Sequence, residues 1–256
     1  MKKNLKISLI QTHIHWENRD ENLKMLDEKL SIINNVDIII LPEMFNTGFT
    51  MNAEKFAEEV DGVSMSWIIR KSKELDSVIV GSLIIKEHSS YYNRLVWIQP
   101  DGIIFHYDKR HLFSMSNEHR IYSPGKEKLI IEYNGWKICP MICFDLRFPV
   151  WIRNVDEYEL LIFVASWPEQ RIEHWKKLLP ARAIENQCYV IGVNRTGCDS
   201  NNIYNGQSMV VNPMGQERCM GSEEGIDIVT FIYDEVIKLR QDMQFLKDQD
   251  SFKIVI

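Results

Sequence analysis

Three side chains in this 256-residue chain could together break an acyl bond. Cys143 closes an apolar run and stands within Ile138-Cys139-Pro140-Met141-Ile142-Cys143-Phe144-Asp145-Leu146-Arg147-Phe148-Pro149. Glu43 follows Ile38-Ile39-Ile40-Leu41-Pro42, and Lys109 follows Tyr107-Asp108 at the end of another apolar stretch. A thiol, a carboxylate and an ammonium at such strand ends would make a nucleophile, its base and a clamp for a developing oxyanion. Each residue alone has a plainer reading. Free cysteine is usually inert packing, a carboxylate after a strand is usually solvated, and most lysines lie on the surface.

Context raises the chemical reading of each. Beyond Cys143 the chain turns polar, and the pattern over residues 148–154 predicts the start of a helix. A strand-to-helix elbow exposes a nucleophile and offers it a backbone N–H. Cys139, mid-strand beside Pro140, reads as core, and Asp145 with Arg147 as a structural pair. The apolar neighbours of Glu43 (Met44, Phe45, Phe49) suit a proton shuttle. Tyr107, Leu112 and Phe113 place Lys109 against an apolar patch.

The elements that must position these groups alternate along the chain. Strands are expected at 6–13, 36–41, 77–85, 160–167, 189–193, 208–211 and 225–233, and helices at 18–33, 64–75, 174–187 and 234–246. The 174–187 helix is expected despite Pro180, and Asp234 is the expected N-cap of the last. Gln99-Pro100-Asp101-Gly102 joins strands 91–98 and 103–107, and Asn134-Gly135 joins 129–133 and 136–142, both as hairpins. Residues 111–125 lack periodicity and read as a loop, and the apolar tail 252–256 should dock on the body. With no linker or repeat, one α/β domain over residues 1–256 is the economical reading.

Composition removes several classes. Hydrophobic residues at 45% and charged residues at 26% are ordinary for a globular protein. A formal charge of −6 argues against nucleic-acid binding. Met1-Lys2-Lys3 imitates a signal peptide, but Lys6, Ser8, Gln11 and His13 interrupt the apolar stretch that should follow. No run is long enough to span a bilayer. Five cysteines, an odd number, do not form a secreted disulfide framework, so a cytoplasmic protein with reduced thiols is expected. Cys139, Cys143 and His111 cannot close a zinc site, and His13 with His15 reads as a satisfied or exposed pair. There is neither a Gly-x-Ser-x-Gly elbow nor a phosphate loop.

The order Glu43, Lys109, Cys143, each inside a multi-residue match, resembles the nitrilase superfamily of carbon–nitrogen hydrolases. Ala165-Ser166-Trp167-Pro168, His174-Trp175 with Ala181-Arg182-Ala183-Ile184-Glu185-Asn186, and Val211-Asn212-Pro213-Met214-Gly215 extend the resemblance over nearly the whole chain. It implies a four-layer α-β-β-α sandwich, commonly paired as a homodimer through one helical layer, with no metal or organic cofactor. It also implies a positioning role for Glu118 and an oxyanion donor in the N–H of Phe144. The strand end at Trp167 and Asn117-Glu118-His119 look most like the omega-amidase branch, which deaminates 2-oxoglutaramate and 2-oxosuccinamate. Phe144 and Trp167 would line its pocket, and Arg171 or Arg195 could meet a distal carboxylate, although both read more simply as surface residues. A deaminated-glutathione amidase, an N-carbamoyl hydrolase, a nitrile hydrolase and an idle dimeric scaffold are the alternatives.

Overall fold

The computed structural model describes residues 4–255. The Met1-Lys2-Lys3 start and the final Ile256 lie outside the described residues. Strand β1 (Leu5–Gln11) leads into helix α1 (Arg19–Leu30), strand β2 (Ile38–Ile40), a single-turn helix α2 (Ala53–Phe56) and helix α3 (Val63–Leu75). Strands β3 (Val78–Glu87), β4 (Ser90–Ile98) and β5 (Ile104–Asp108) follow, and then the short helix α4 (Glu118–Ile121). The second half runs β6 (Ile131–Tyr133), β7 (Trp136–Ile142), β8 (Leu160–Ala165), α5 (Ile172–Asn186) and β9 (Tyr189–Asn194). It closes with β10 (Thr196–Cys198), β11 (Ile203–Asn205), β12 (Met209–Val211), β13 (Glu217–Cys219), β14 (Gly225–Phe231) and α6 (Tyr233–Asp242).

Two six-stranded sheets result, ordered β14-β1-β2-β3-β4-β5 and β13-β12-β9-β8-β7-β6, with β10 and β11 as a separate ribbon. Strands β1, β2 and β3 are mutually parallel, as are β7, β8 and β9, and the flanking pairs are antiparallel. Strand β5 therefore runs in the same sense as β2, which brings the ends carrying Lys109 and Glu43 to one rim.

Side-chain alternation assigns the layers. Leu5, Ile7, Leu9, Ile38, Ile40, Val78 and Val80 share a core with Ile138, Ile142, Leu160 and Ile162 of the second sheet. Ile10, Ile39 and Ile79, from the opposite face of the same strands, pack with Leu23, Leu26 and Leu30 of α1 and with Met65 and Ile68 of α3. Each such leucine withdrawn from water contributes about 1.5–3 kcal/mol. Helix α5 covers the second sheet with Trp175, Leu179 and Ala183, and α6 adds Val236. The layers thus run helix, sheet, sheet, helix, as expected.

Local chemistry sets the ends of these elements. Asn18 caps α1 by accepting from the N–H of Glu21, with Asp20 and Glu21 in the first turn complementing the helix dipole. Helix α5 keeps Pro180 inside and ends on Gln187 in a left-handed conformation. The Asn134-Gly135 turn has φ of 50° and 82°, the primed geometry that matches strand twist.

Several expectations are corrected. Residues 148–154 are turns, because the Asn154 amide bonds Tyr158 and the backbone of Asn186 and holds the chain in a loop. The helical turn is the 3-10 segment Cys143–Arg147 instead. Residues 111–125 hold a 3-10 turn, Ser114–Ser116, besides α4. The last helix begins at Tyr233 and ends at Asp242, with Ile232 rather than Asp234 at its boundary. In the tail, Ile254 packs on the main core while Phe252 and Val255 are exposed. The three-residue strands β10, β11 and β13 had no clear sequence signal.

Candidate active site

Glu43 is held by the turn that ends β2. Met44 adopts φ 46°, donates its N–H to Oγ of Ser82 and accepts from the N–H groups of Thr47 and Gly48. The Glu43 carboxylate is fully buried and saturated with donors. Oε1 accepts from Nδ2 of Asn93 and from Nζ of Lys109, both at 2.8 Å, and Oε2 accepts from the N–H of Ser166 at 2.8 Å.

Lys109 is placed by backbone bonds on both sides. Its N–H donates to the carbonyl of Asn93, and its own carbonyl accepts from Gly125. The ammonium is buried and reaches both oxygens of Glu118 at 3.0 Å. Burial alone would favour the neutral amine, but Glu118 and Glu43 outweigh it and raise the lysine pKa above its ordinary value. Glu118, at the start of α4, also accepts from the N–H of Phe113, and burial raises its own pKa with Lys109 opposing.

Cys143 closes β7 in the left-handed region at φ 42°, an unusual conformation for a residue with a side chain. Its thiol lies within the electrostatic reach of Glu43, Lys109 and the N–H of Ser166. Burial and the Glu43 charge keep the thiol protonated, with Lys109 pulling the other way. Cys139 is core as expected, its pKa pushed up to about 12 by burial.

The turn after Cys143 is anchored by Asp145. Oδ2 accepts from the Tyr107 hydroxyl at 2.8 Å and from the N–H of Ile142 at 3.2 Å, and Oδ1 accepts from the N–H of His111 at 3.0 Å. Asp145 therefore does not pair with Arg147. That guanidinium stacks over Trp167, 4.7 Å from the ring centroid, and donates to Nδ1 of His174.

Glu43, Lys109 and Cys143 line a cavity of about 700 Å³, whose walls also include Phe49, Phe113, Phe144, Arg147, Trp167 and Arg171. The backbone of Trp167 is clamped by Asn194, whose Oδ1 accepts from its N–H and whose Nδ2 donates to its carbonyl. Arg171 reaches the cavity, whereas Arg195 is neither on the surface nor on the cavity wall. It is fully buried and donates to the carbonyls of Ile14, Thr196 and Cys198.

The structure thus brings Glu43, Lys109, Glu118 and Cys143 together and sets Phe144 and Trp167 beside them. Sequence reasoning missed Asn93 and Asn194 as supports and gave the structural residue Asp145 the wrong partner. An asparagine inside an otherwise apolar and aromatic strand was the available signal for Asn93. Among the described residues no group of three or more His, Cys, Asp or Glu side chains could hold a metal ion.

A thiol–carboxylate–ammonium cluster at the rim of a helix-covered double sheet defines a hydrolase class. The carbon-nitrogen hydrolase family model matches residues 6–238, and the chain belongs to that family. It is 45% identical to omega-amidase YafV of Escherichia coli (strain K12) over 213 residues, 83% of each chain. It is 35% identical to 2-oxoglutaramate amidase of Bacillus subtilis (strain 168) over 251 residues, 94% of this chain and 96% of that one. The crystal structure of XC1258 from Xanthomonas campestris, a CN-hydrolase superfamily protein with an arsenic adduct in its active site, superposes with TM-score 0.96 at 38% identity, covering 99% and 100% of the two chains.

Proposed function

We propose that this chain is an amidase that hydrolyses the terminal carboxamide of small dicarboxylate monoamides, 2-oxoglutaramate and 2-oxosuccinamate, to acid and ammonia through a thioester. The observation that carries this reading is the buried Glu43–Lys109–Glu118 chain of contacts beside a cavity that Glu43, Lys109 and Cys143 line together. The names of the Escherichia coli and Bacillus subtilis relatives support the substrate.

In this reading Glu43 takes the thiol proton as the Cys143 sulfur attacks the carboxamide carbon. Lys109 and the N–H of Phe144 hold the oxyanion, and loss of one such donor costs about 10²–10³ in turnover. Glu43 returns the proton to the departing ammonia, then deprotonates the water that cleaves the thioester. Glu118 keeps Lys109 charged and in place. Phe144 and Trp167 close the pocket around a short substrate.

Residues 1–256 form one hydrolase domain in this proposal, supported by the core that the two sheets share. A homodimer through the α5–α6 layer is supported by the exposed apolar side chains Ile184, Met214 and Phe245. Five free cysteines support a reducing, cytoplasmic setting, and no helix among the described residues is long and apolar enough to cross a membrane.

Ammonia release from 2-oxoglutaramate, compared with glutamine, carbamoyl-β-alanine and a simple nitrile, tests the reading. Turnover fastest on 2-oxoglutaramate, and abolished in a folded Cys143→Ala variant, is the expected result. Ordinary activity in Cys143→Ala would overturn the mechanism, and preference for another member of the panel would overturn the substrate.

A further inference from the structure

Two guanidinium groups face the same cavity, and neither has an acidic partner. Arg147 stacks on Trp167 and on Phe144, at 4.7 and 5.9 Å from their centroids, and Arg171 lies 5.0 Å from the centroid of Phe113. The polar neighbour of Arg147 is Nδ1 of His174 at 3.1 Å, which is not an acid. The acids lining the cavity are Glu43 and Asp199. Glu43 is engaged by Lys109, while Asp199 accepts from the Tyr204 hydroxyl and from the N–H groups of Asn201 and Asn202 in its own loop. Among the described residues, neither Arg147 nor Arg171 is ion-paired.

The two cations also sense each other and the nucleophile. Burial and the Arg171 charge both disfavour the charged form of Arg147, while the Cys143 sulfur favours it. Flat aromatic surfaces hold each guanidinium in place but provide no counter-charge. An anion bound between them would relieve the repulsion and gain charge-assisted hydrogen bonds.

We propose that Arg147 and Arg171 form the anion subsite of the cavity, binding the carboxylate at the far end of the amide substrate. This rests on the amidase reading above and adds a rule of selection. The subsite takes an amide whose other end is anionic, and it disfavours one bearing an ammonium beside that carboxylate, because a third positive charge would sit against two unpaired guanidiniums. A 2-oxo acid amide is accepted and the corresponding amino acid amide disfavoured. Arg195, walled off by carbonyls, takes no part.

Steady-state kinetics of the wild type, Arg147→Gln and Arg171→Gln on 2-oxoglutaramate, glutamine and neutral butyramide test the assignment. Because each arginine makes a charge-assisted bond, kcat/KM for 2-oxoglutaramate should fall about 10–100-fold more than for butyramide, chiefly through KM. The gap between 2-oxoglutaramate and glutamine should narrow in both variants. Added salt should raise the wild-type KM for the anionic amide more than for the neutral one. Equal losses on anionic and neutral amides in both variants would overturn the subsite. Arg171 is only partly buried, so Arg171→Gln serves if Arg147→Gln does not fold. Should the wild type fail to turn over 2-oxoglutaramate, the substrate reading fails, and the subsite is tested separately. Protection of Cys143 from iodoacetamide by 2-oxoglutarate, lost in Arg171→Gln, would uphold it, and no protection in the wild type would sink it.

Discussion

Asn93 and Glu43, fifty residues apart in the chain, are joined side chain to side chain, with Nδ2 of Asn93 donating to Oε1 of Glu43 at 2.8 Å. The same amide nitrogen lies 3.3 Å from Oε1 of Glu118, and the backbone carbonyl of Asn93 accepts from Lys109. One residue of β4 therefore sets the spacing of both carboxylates and of the lysine between them. Its own Oδ1 is buried without a hydrogen-bond partner among the described residues, so the amide is present for what it donates. Replacing Asn93 by Ala removes a donor to a carboxylate, worth about 1.5–3 kcal/mol. Steady-state kinetics should show kcat lower by about 10–100-fold with KM little changed.

Glu118 is one of two counter-ions for a buried ammonium. Glu118→Ala leaves Lys109 with Glu43 alone and the Phe113 N–H without its acceptor. Urea unfolding should report a loss of about 3 kcal/mol, in the range for breaking a buried ion pair. A loss below about 1 kcal/mol would match an exposed pair and contradict the burial seen here.

The pH dependence of that cluster has a defined sign. The folded-state pKa of Lys109 is raised above 10.5 because its two carboxylates outweigh its burial. A group raised in this way contributes stability that is complete below its unfolded pKa and is lost only as pH climbs through the higher folded value. The difference in stability between wild type and Lys109→Met should thus stay flat up to about pH 10 and shrink only beyond it. Thermal melts of both proteins across that range measure it.

Asp145 ties the Cys143 turn to the segment that carries Lys109. Truncating it to Ala strands the Tyr107 hydroxyl and the N–H groups of His111 and Ile142. Each buried donor left unpaired costs about 1–3 kcal/mol. Asp145→Ala should therefore lower both the melting temperature and kcat, whereas Asp145→Asn, which retains an acceptor oxygen, should recover part of the stability.

Gly192 of β9 is needed for contact rather than for backbone freedom. A methyl group there would meet Cζ2 of Trp175 at 2.4 Å and Cδ1 of Leu179 at 2.7 Å. Gly192→Ala should destabilise the protein by about 1–3 kcal/mol, read as a lower unfolding midpoint.

The strand-end positions of Glu43, Lys109 and Cys143 were legible because each follows an apolar run broken by proline or polar residues. The two hairpins were legible because Pro100-Asp101-Gly102 and Asn134-Gly135 encode their turns. Chain segments that bind through tertiary bonds were not. Nothing local distinguishes the 3-10 turn at Cys143–Arg147 from the start of an α-helix, since Asp145 is held by Tyr107 and His111 from far up the chain. Arg195 read as a surface arginine because the carbonyls that receive it belong to the short strand β10, which has no sequence signal, and to residue 14. Strands β10, β11 and β13 are too short for a period to show.

Strand β14 zips against β1 along seven residue pairs, from Leu5 with Phe231 to Gln11 with Gly225. Strand β1 thus finds one of its two sheet neighbours more than 200 residues away along the chain. A chain cut before residue 225 would keep Cys143 but leave that edge of β1 unpaired and open to pairing with another strand.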